Sequence, residues 1–389
     1  MERFDVAVLG AGPAGSLTAY RLARAGARVL LADRARFPRD KPCGGGLTGR
    51  ALRELPFDVD PVVEDRARQV FLRARYRGGY ERASAEPLVA LTQRRRLDAY
   101  LAERAADAGA DFRHAVRVSA VEPGDAGITL RIDGRAVHAQ ALVGADGANG
   151  VVAKTAALGE SIVHGVALEG NLPHSVVGRD RFAGRLVLEF GVVPGGYAWV
   201  FPKRDHVNVG VGGWQREGPR LRTHLELLCS QHDLPAGRVE SLRGHRLPMR
   251  LPGTRLASGR TLLVGDAAGL VDPFSGDGMY EGFLSARVAA TAIGELLGGD
   301  AGSLEAYEAR LGAELGGLPA FSWRLKAAVD RYPRLALSIV RLPPVWPVVE
   351  AVVRGDLRHP GAASGVARLP VRALRALAGR AGAAGAGAA

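Results

Sequence analysis

Cysteine is nearly missing from this chain. Among 389 residues only Cys43 and Cys229 occur, too few for a disulfide framework and without the paired spacing of a zinc site. The nine histidines are scattered, with no HExxH arrangement, so no metal is expected. Long apolar runs are missing too. No stretch of about 18 uninterrupted apolar residues occurs, which argues against a membrane-spanning helix. Glu2 and Asp5 stand where a secretory signal would be apolar, and the expected location is cytoplasmic. What is present is ample for a large core, since 47% of the residues are hydrophobic. The 52 Lys+Arg against 40 Asp+Glu give a net charge of +12, which favours anionic surfaces or anionic substrates without choosing between them. No nucleic-acid partner is expected.

Residues 4–9 (FDVAVL) read as a strand, followed by Gly10-Ala11-Gly12-Pro13-Ala14-Gly15 and a helix over 16–25. A second strand over 28–32 ends at Asp33. This is a dinucleotide fingerprint in its strand–turn–helix context: the glycines let backbone approach a pyrophosphate and the acid accepts ribose hydroxyls. Asp33 would repel a 2′-phosphate, so the adenosine belongs to FAD or NAD. The run Gly44-Gly45-Gly46-Leu47-Thr48-Gly49 also spells GxGxxG. No strand feeds it, because Pro38 and Pro42 break the charged segment upstream, and it reads as a loop for close approach to a ligand rather than a second Rossmann turn. Residues 94–107 form a helix, and strands recur over 69–75, 88–92, 128–132 and 136–143, the last ending in GADG with Asp146.

Between 163 and 211 the pattern is β-rich. Tyr197, Trp199 and Phe201 alternate in YAWVFP, so their rings share one sheet face; such a row is either ordinary core or the wall of an apolar channel. Residues 261–264 form a buried strand, Asp266 follows Gly265, and Gly276-Asp277-Gly278 opens a helix from about 279 to 297. A glycine-opened helix end carries free N–H groups and partial positive charge, suited to an anion or an electron-rich ring edge. Beyond 297 the chain turns helical and arginine-rich, and residues 378–389 form a low-complexity Gly/Ala tail, read as disordered. Residues 366–377 place Arg368, Arg372 and Arg375 among Leu369, Val371, Leu374 and Leu377, either a solvated helix on the body or a basic amphipathic helix giving peripheral contact with an anionic membrane at its inner face.

With GAGPAG and Asp33, KPCGGGL, the R-x-x-L-D run of Arg94, Leu97 and Asp98, GADGANG, YAWVFPK and GDAAGLVDPFSGDGM in this order, the chain resembles the geranylgeranyl reductase family, flavoproteins of the same broad group as p-hydroxybenzoate hydroxylase. The resemblance runs from Phe4 to about Leu297. It implies an α/β fold: a Rossmann-like FAD-binding domain assembled from discontinuous segments (1–68, 93–160 and 256–300), a mostly antiparallel β-sheet substrate domain (69–92 and 161–255) and a helical C-terminal region (301–377). It also implies a cofactor-binding set of Gly10, Gly12, Pro13, Ala14, Gly15, Asp33, Arg34, Cys43, Gly44, Gly45, Arg94, Asp266, Pro273, Gly276, Asp277, Gly278 and Met279. The family more often has Glu, Ile and Ser where this chain has Asp277, Met279 and Thr48.

Members of that family reduce isolated carbon–carbon double bonds of polyprenyl chains, with hydride from reduced FAD and a proton from elsewhere. The resemblance therefore implies a polyprenyl lipid substrate: a prenyl diphosphate, a prenylated lipid or an isoprenoid quinone. Tyr197, Trp199, Phe201 and Trp214 are the expected slot walls, because an isoprenoid must be held by apolar contact. Cys43 is the first candidate for proton donor or face-defining residue, with Tyr280 and Tyr197 behind it. Lys41, Lys203 and Arg204 are head-group candidates. No second dinucleotide fold is present, so the electron donor is NADPH visiting transiently, reduced ferredoxin or a quinol. The rival functions are an FAD-dependent monooxygenase or halogenase of the same fold and a noncatalytic prenyl-binding escort protein. Oligomeric state is not readable from these features.

Overall fold

A computed structural model describes residues 1–389 except 125, 363, 374–375 and 377–389; the Gly/Ala tail and the last turn of the basic segment fall outside the described residues. Val6, Ala7, Val8, Leu30 and Leu31 are fully buried, as expected for strands of a parallel sheet covered on both faces. Strand Glu2–Leu9 pairs in parallel with Val29–Asp33 on one side and with Arg135–Gly144 on the other. Strands Asp111–His114 and Thr261–Leu263 extend this sheet in parallel at its two sides, and an antiparallel pair, Val118–Gly124 with Gly127–Ile132, hangs from Arg135–Gly144. The eight-stranded sheet thus draws on the beginning and the far end of the chain. Helices Pro13–Arg24, Arg94–Asp107 and Met279–Gly298 pack against it.

A seven-stranded sheet holds the middle of the chain, in the order Glu240–Arg250, Ile162–Pro173, His206–Trp214, Tyr197–Pro202, Arg185–Phe190, Gln69–Ala74, Arg77–Ala83. All its pairings are antiparallel except that of Arg185–Phe190 with Gln69–Ala74. The fold is therefore the α/β arrangement anticipated from the resemblance. A small third sheet joins Gly46–Thr48, Val89–Thr92 and Val63–Ala67, so the run 69–92 is shared between two sheets. The GGGLTG run supplies an antiparallel strand and then the short helix Gly49–Arg53, with Thr48 as N-cap, and not a Rossmann turn. The helices Ala306–Leu315, Leu318–Arg331, Pro333–Val340 and Trp346–Arg354 follow. Among the described residues no helix is long and apolar enough to cross a membrane.

The turn between the first strand and first helix leaves no room for a side chain at Gly10 or Gly15. Gly10 sits at φ +106°, and a Cβ on Gly15 would stand 1.9 Å from the Gly10 carbonyl oxygen. Gly15 lets the helix pack on the turn rather than facing the cleft. Gly15→Ala is expected to force the helix off the strand and destabilise by about 3 kcal/mol or more, read as a lowered thermal midpoint together with loss of the yellow colour of bound FAD.

Candidate active site

One cavity of about 1160 Å³ runs from the GAGPAG turn to the C-terminal helices. At its nucleotide end, Gly12, Pro13, Ala14, Asp33 and Arg34 line it. Asp33 accepts from the amides of Ala11 and Ala35, each at 2.8 Å, which fixes the carboxylate at the strand end. Arg94 is buried and makes a two-pronged contact with Asp98 at 2.7 and 2.8 Å, and Arg39 reaches the same carboxylate at 2.9 Å. A Cβ on Gly12 would lie 3.4 Å from the Arg39 guanidinium and 4.0 Å from that of Arg94. The open space beside the helix N-terminus is thus bounded by two guanidinium groups sharing one carboxylate. That donor set fits the pyrophosphate of a dinucleotide. Arg39 was not anticipated, because nothing in the sequence marks it within its charged, proline-broken segment.

Farther along, the 41–45 loop meets the second half of the site. Lys41 pairs with Asp266 at 2.6 Å, and His245 lies 3.5 Å from the same oxygen. Burial alone would raise the Asp266 pKa, but Lys41 and His245 outweigh it and hold the carboxylate well below its usual range. The loop is tied at Lys41, Cys43, Gly44 and Gly45. The Cys43 amide donates to Glu169 Oε1 at 2.7 Å, buried Lys203 donates to the Gly44 carbonyl at 2.6 Å and to that of Thr92 at 2.9 Å, and the Gly45 amide donates to Cys43 Sγ at 3.3 Å. Lys203 is consumed by these bonds and Lys41 by Asp266, so neither is a free head-group cation. Arg204 contacts Glu64 and Val63 at the surface.

Gly276, Asp277, Gly278 and Met279 line the cavity where the 279–298 helix begins, and Pro273 lies beside them. Asp272 closes the preceding turn by accepting from the Phe274 and Ser275 amides, and Gly276 takes φ +67° to complete it. The helix N-terminus is not bare: Asp277 Oδ1 accepts from the Met279 amide at 2.8 Å. Behind it Arg50 stands between Asp277 and Glu281, at 3.7 and 3.9 Å. Burial raises the pKa of both carboxyls. Tyr280 is not among the residues lining the cavity; its ring packs under the Arg50 guanidinium at 4.5 Å, because a residue one step along the helix from Met279 points to a different side.

The seven-stranded sheet turns one face to the cavity. Its register sets Leu72, Leu188, Trp199, Gly210, Glu169 and Arg243 in one row across the strands, and Ala74, Phe190, Tyr197, Gly212, Ala167 and His245 in the next. Tyr197, Trp199 and Phe201 all line the cavity and form a ladder with centroid spacings of 5.9 and 6.3 Å. The Trp199 indole N–H donates to Asn208 at 2.8 Å, leaving its ring as plain apolar wall. A Cβ on Gly210 would be 2.1 Å from that indole, so the ring lies across the bare strand toward Glu169. The Tyr197 hydroxyl donates to the Ser275 carbonyl and burial pushes its pKa upward; its proton is committed to the loop. Trp214 lies behind the wall, against Gly195 and 4.3 Å from the Lys326 ammonium, and is not among the lining residues.

The far arm is closed by helices whose role the sequence does not show. Phe321, Leu325, Val329, Leu337, Trp346 and Val349 line it. Their signal was the spacing Phe321, Leu325, Val329, one face of a helix. Glu169 was missed as well. Its only mark was a lone acid in the apolar strand VALEG.

An adenosine–pyrophosphate cleft that opens onto a glycine-rich helix end beside an aromatic sheet face is the layout of an FAD-dependent oxidoreductase. The chain belongs to the FAD binding domain family, matched over residues 3–311, and within it to the geranylgeranyl reductase group. It is 34% identical over 310 residues to the menaquinone reductase of Mycobacterium tuberculosis, covering 74% of this chain and 75% of that one. It is 32% identical over 326 residues to digeranylgeranylglycerophospholipid reductase 1 of Methanopyrus kandleri, covering 79% and 85%. The fold is shared with a geranylgeranyl bacteriochlorophyll reductase-like protein of Thermoplasma acidophilum, at TM-score 0.79 and 22% identity over 96% of this chain and 100% of that one. It is also shared with a flavin-dependent brominase, at TM-score 0.77 and 18% identity over 97% and 99%.

Replacing Arg50 with Met would leave Asp277 and Glu281 buried without their cation and is expected to cost about 3 kcal/mol. Both carboxyls shed charge as pH falls, so the thermal-midpoint gap between R50M and the parent should narrow toward acid pH; a constant gap would contradict the pairing.

Proposed function

We propose that the protein saturates isolated double bonds of a polyprenyl chain that lies along the apolar arm of the cavity. The observation that carries this reading is the joining of an FAD cleft to a long arm walled by Val70, Leu72, Leu186, Leu188 and the C-terminal helices. An isoprenoid offers almost no hydrogen-bonding groups, and such an arm holds it by burial at about 25 cal/mol per Å². When bound and reduced, FAD supplies hydride. Gly12, Arg39 and Arg94 would hold its pyrophosphate, Asp33 its ribose, and Asp266 with residues 276–279 would lie toward the ring. Tyr197 holds the 272–277 turn in place, Trp199 and Phe201 keep the reacting face dry, and Cys43 defines the edge of that face. The named activities of the relatives in Mycobacterium and Methanopyrus support a prenyl lipid, with an isoprenoid quinone or a prenylated phospholipid ahead of other head groups. Exposed Leu335 and Leu342, flanked by Arg334 and Arg341, support peripheral contact with an anionic membrane, through which such a lipid would arrive.

The test is anaerobic incubation of dithionite-reduced holoprotein with menaquinone, geranylgeranyl diphosphate and a geranylgeranylated phospholipid, followed by mass spectrometry. Gain of two hydrogens per bond on one of them is expected. No gain, with oxygen-dependent hydroxylation or halogenation instead, would overturn the reading in favour of the activity of the brominase-like branch. Leu337→Trp, which fills the apolar arm, is expected to lower kcat/KM for a geranylgeranyl chain about ten-fold while sparing a geranyl chain. Equal losses for both lengths would count against the arm as the chain-binding site.

A further inference from the structure

Saturating an unactivated alkene requires a proton at the carbon that does not receive hydride. Several titratable groups along the cavity are already committed. The Tyr197 hydroxyl donates to Ser275, Asp266 is held ionised by Lys41 and His245, and Asp277 faces Arg50. Glu169 differs. It lines the cavity, is 9% exposed, and stands in the same sheet row as Trp199, separated from it only by the side-chain-free Gly210. A buried carboxyl in the row that runs from Leu72 through Trp199 and Gly210, with Arg243 beside it on the edge strand, is costly to keep. One oxygen accepts the Cys43 amide, which orients the group at the rim of the glycine loop.

We propose that Glu169 is the acid that protonates the substrate alkene, held in place by the Cys43 amide in the row that carries Trp199. This rests on the reductase reading above. In the step, the alkene π bond breaks. One carbon receives hydride from the reduced cofactor, the other takes the Glu169 proton with the π electron pair, and the carboxylate left behind is reprotonated from water. The groups facing Glu169 are Cys43 and Asp40 from the glycine loop, Lys203 beyond the aromatic strand, Arg94 from its helix, and Arg243 from the neighbouring strand, itself paired with Asp40 at 3.0 Å. Burial is the largest influence and raises the carboxyl pKa to about 7, against the lowering effects of the Cys43 amide, Lys203 and Arg94. A carboxyl so held keeps its proton in a large share of the molecules near neutral pH, where an ordinary one has lost it.

The experiment uses reduced holoprotein in single turnover with whichever prenyl substrate the parent protein reduces. The protonated form is the active one, so the parent rate is expected to fall as pH rises above about 7. Glu169→Gln keeps a carbonyl oxygen for the Cys43 amide but cannot ionise. It should reduce the alkene about 100-fold more slowly and lose that pH limb, with an unchanged FAD spectrum. In FAD-free protein, alkylation of Cys43 by iodoacetamide should proceed equally in the parent and E169Q, and faster in Glu169→Ala, where the anchor is gone. If E169Q matches the parent in rate and pH profile, Glu169 is only an anchor and the proposal falls. A parent rate flat from pH 6 to 9 overturns it without any variant. Failure of the parent to reduce any prenyl alkene would instead remove the reductase reading itself.

Discussion

Lys41 and Asp266, 2.6 Å apart, tie the glycine loop after the second strand to the turn after strand Thr261–Leu263, and the two halves of the cleft meet at this contact. Both side chains are largely withdrawn from water, so removing one member of the pair leaves the other poorly solvated, which costs more than the pair contributes by forming. The same logic repeats around the cavity, in Arg39 and Arg94 on Asp98, Arg50 on Asp277 and Glu281, and Lys326 beside Asp330. Each pair joins or braces segments that must stay fixed for a flat, charged cofactor and a featureless chain to share one space.

Polarity across the cavity follows from the sheet register. Along the row from Leu72 to Arg243, side chains run from aliphatic through aromatic to absent and then ionisable. The strand His206–Trp214 contributes Gly210 and Gly212 at the middle of this gradient. The bare strand leaves room for the Trp199 ring, and it separates an apolar end, where a lipid tail fits, from an acidic and basic end, where proton and charge are handled.

Much of this was legible in the chain itself, for physical reasons. The GAGPAG turn, Asp33 and the helix from Met279 are locally determined: glycines with forced backbone, an acid at a strand end, and a long apolar periodicity. The face shared by Tyr197, Trp199 and Phe201 follows from the two-residue period of a strand. Arg39, Arg50 and Glu169 were not legible, because their importance lies in partners 59, 227 and 126 positions away, at Asp98, Asp277 and Cys43. Trp214 and Tyr280 looked eligible by type and proximity to motifs, yet Tyr280 points to another side of its helix, and Trp214, on the strand side of Gly210 and Gly212, is covered by Gly195 and Lys326. The C-terminal helices hid their role because an apolar helix face reads the same whether it covers a core or a cavity.

Strand Thr261–Leu263 pairs with residues 142–144 of the nucleotide sheet, which has a bearing on how the molecule is made. During synthesis the growing chain must keep residues 142–144 unpaired on that side while more than a hundred further residues, including most of the other large sheet, are added. The middle of the chain can assemble on its own neighbours in that interval, whereas the cofactor cleft cannot close until the third contributing segment leaves the ribosome. Cofactor capture is thus a late event in biogenesis, and a chain truncated before residue 261 would expose an open sheet edge prone to aggregation.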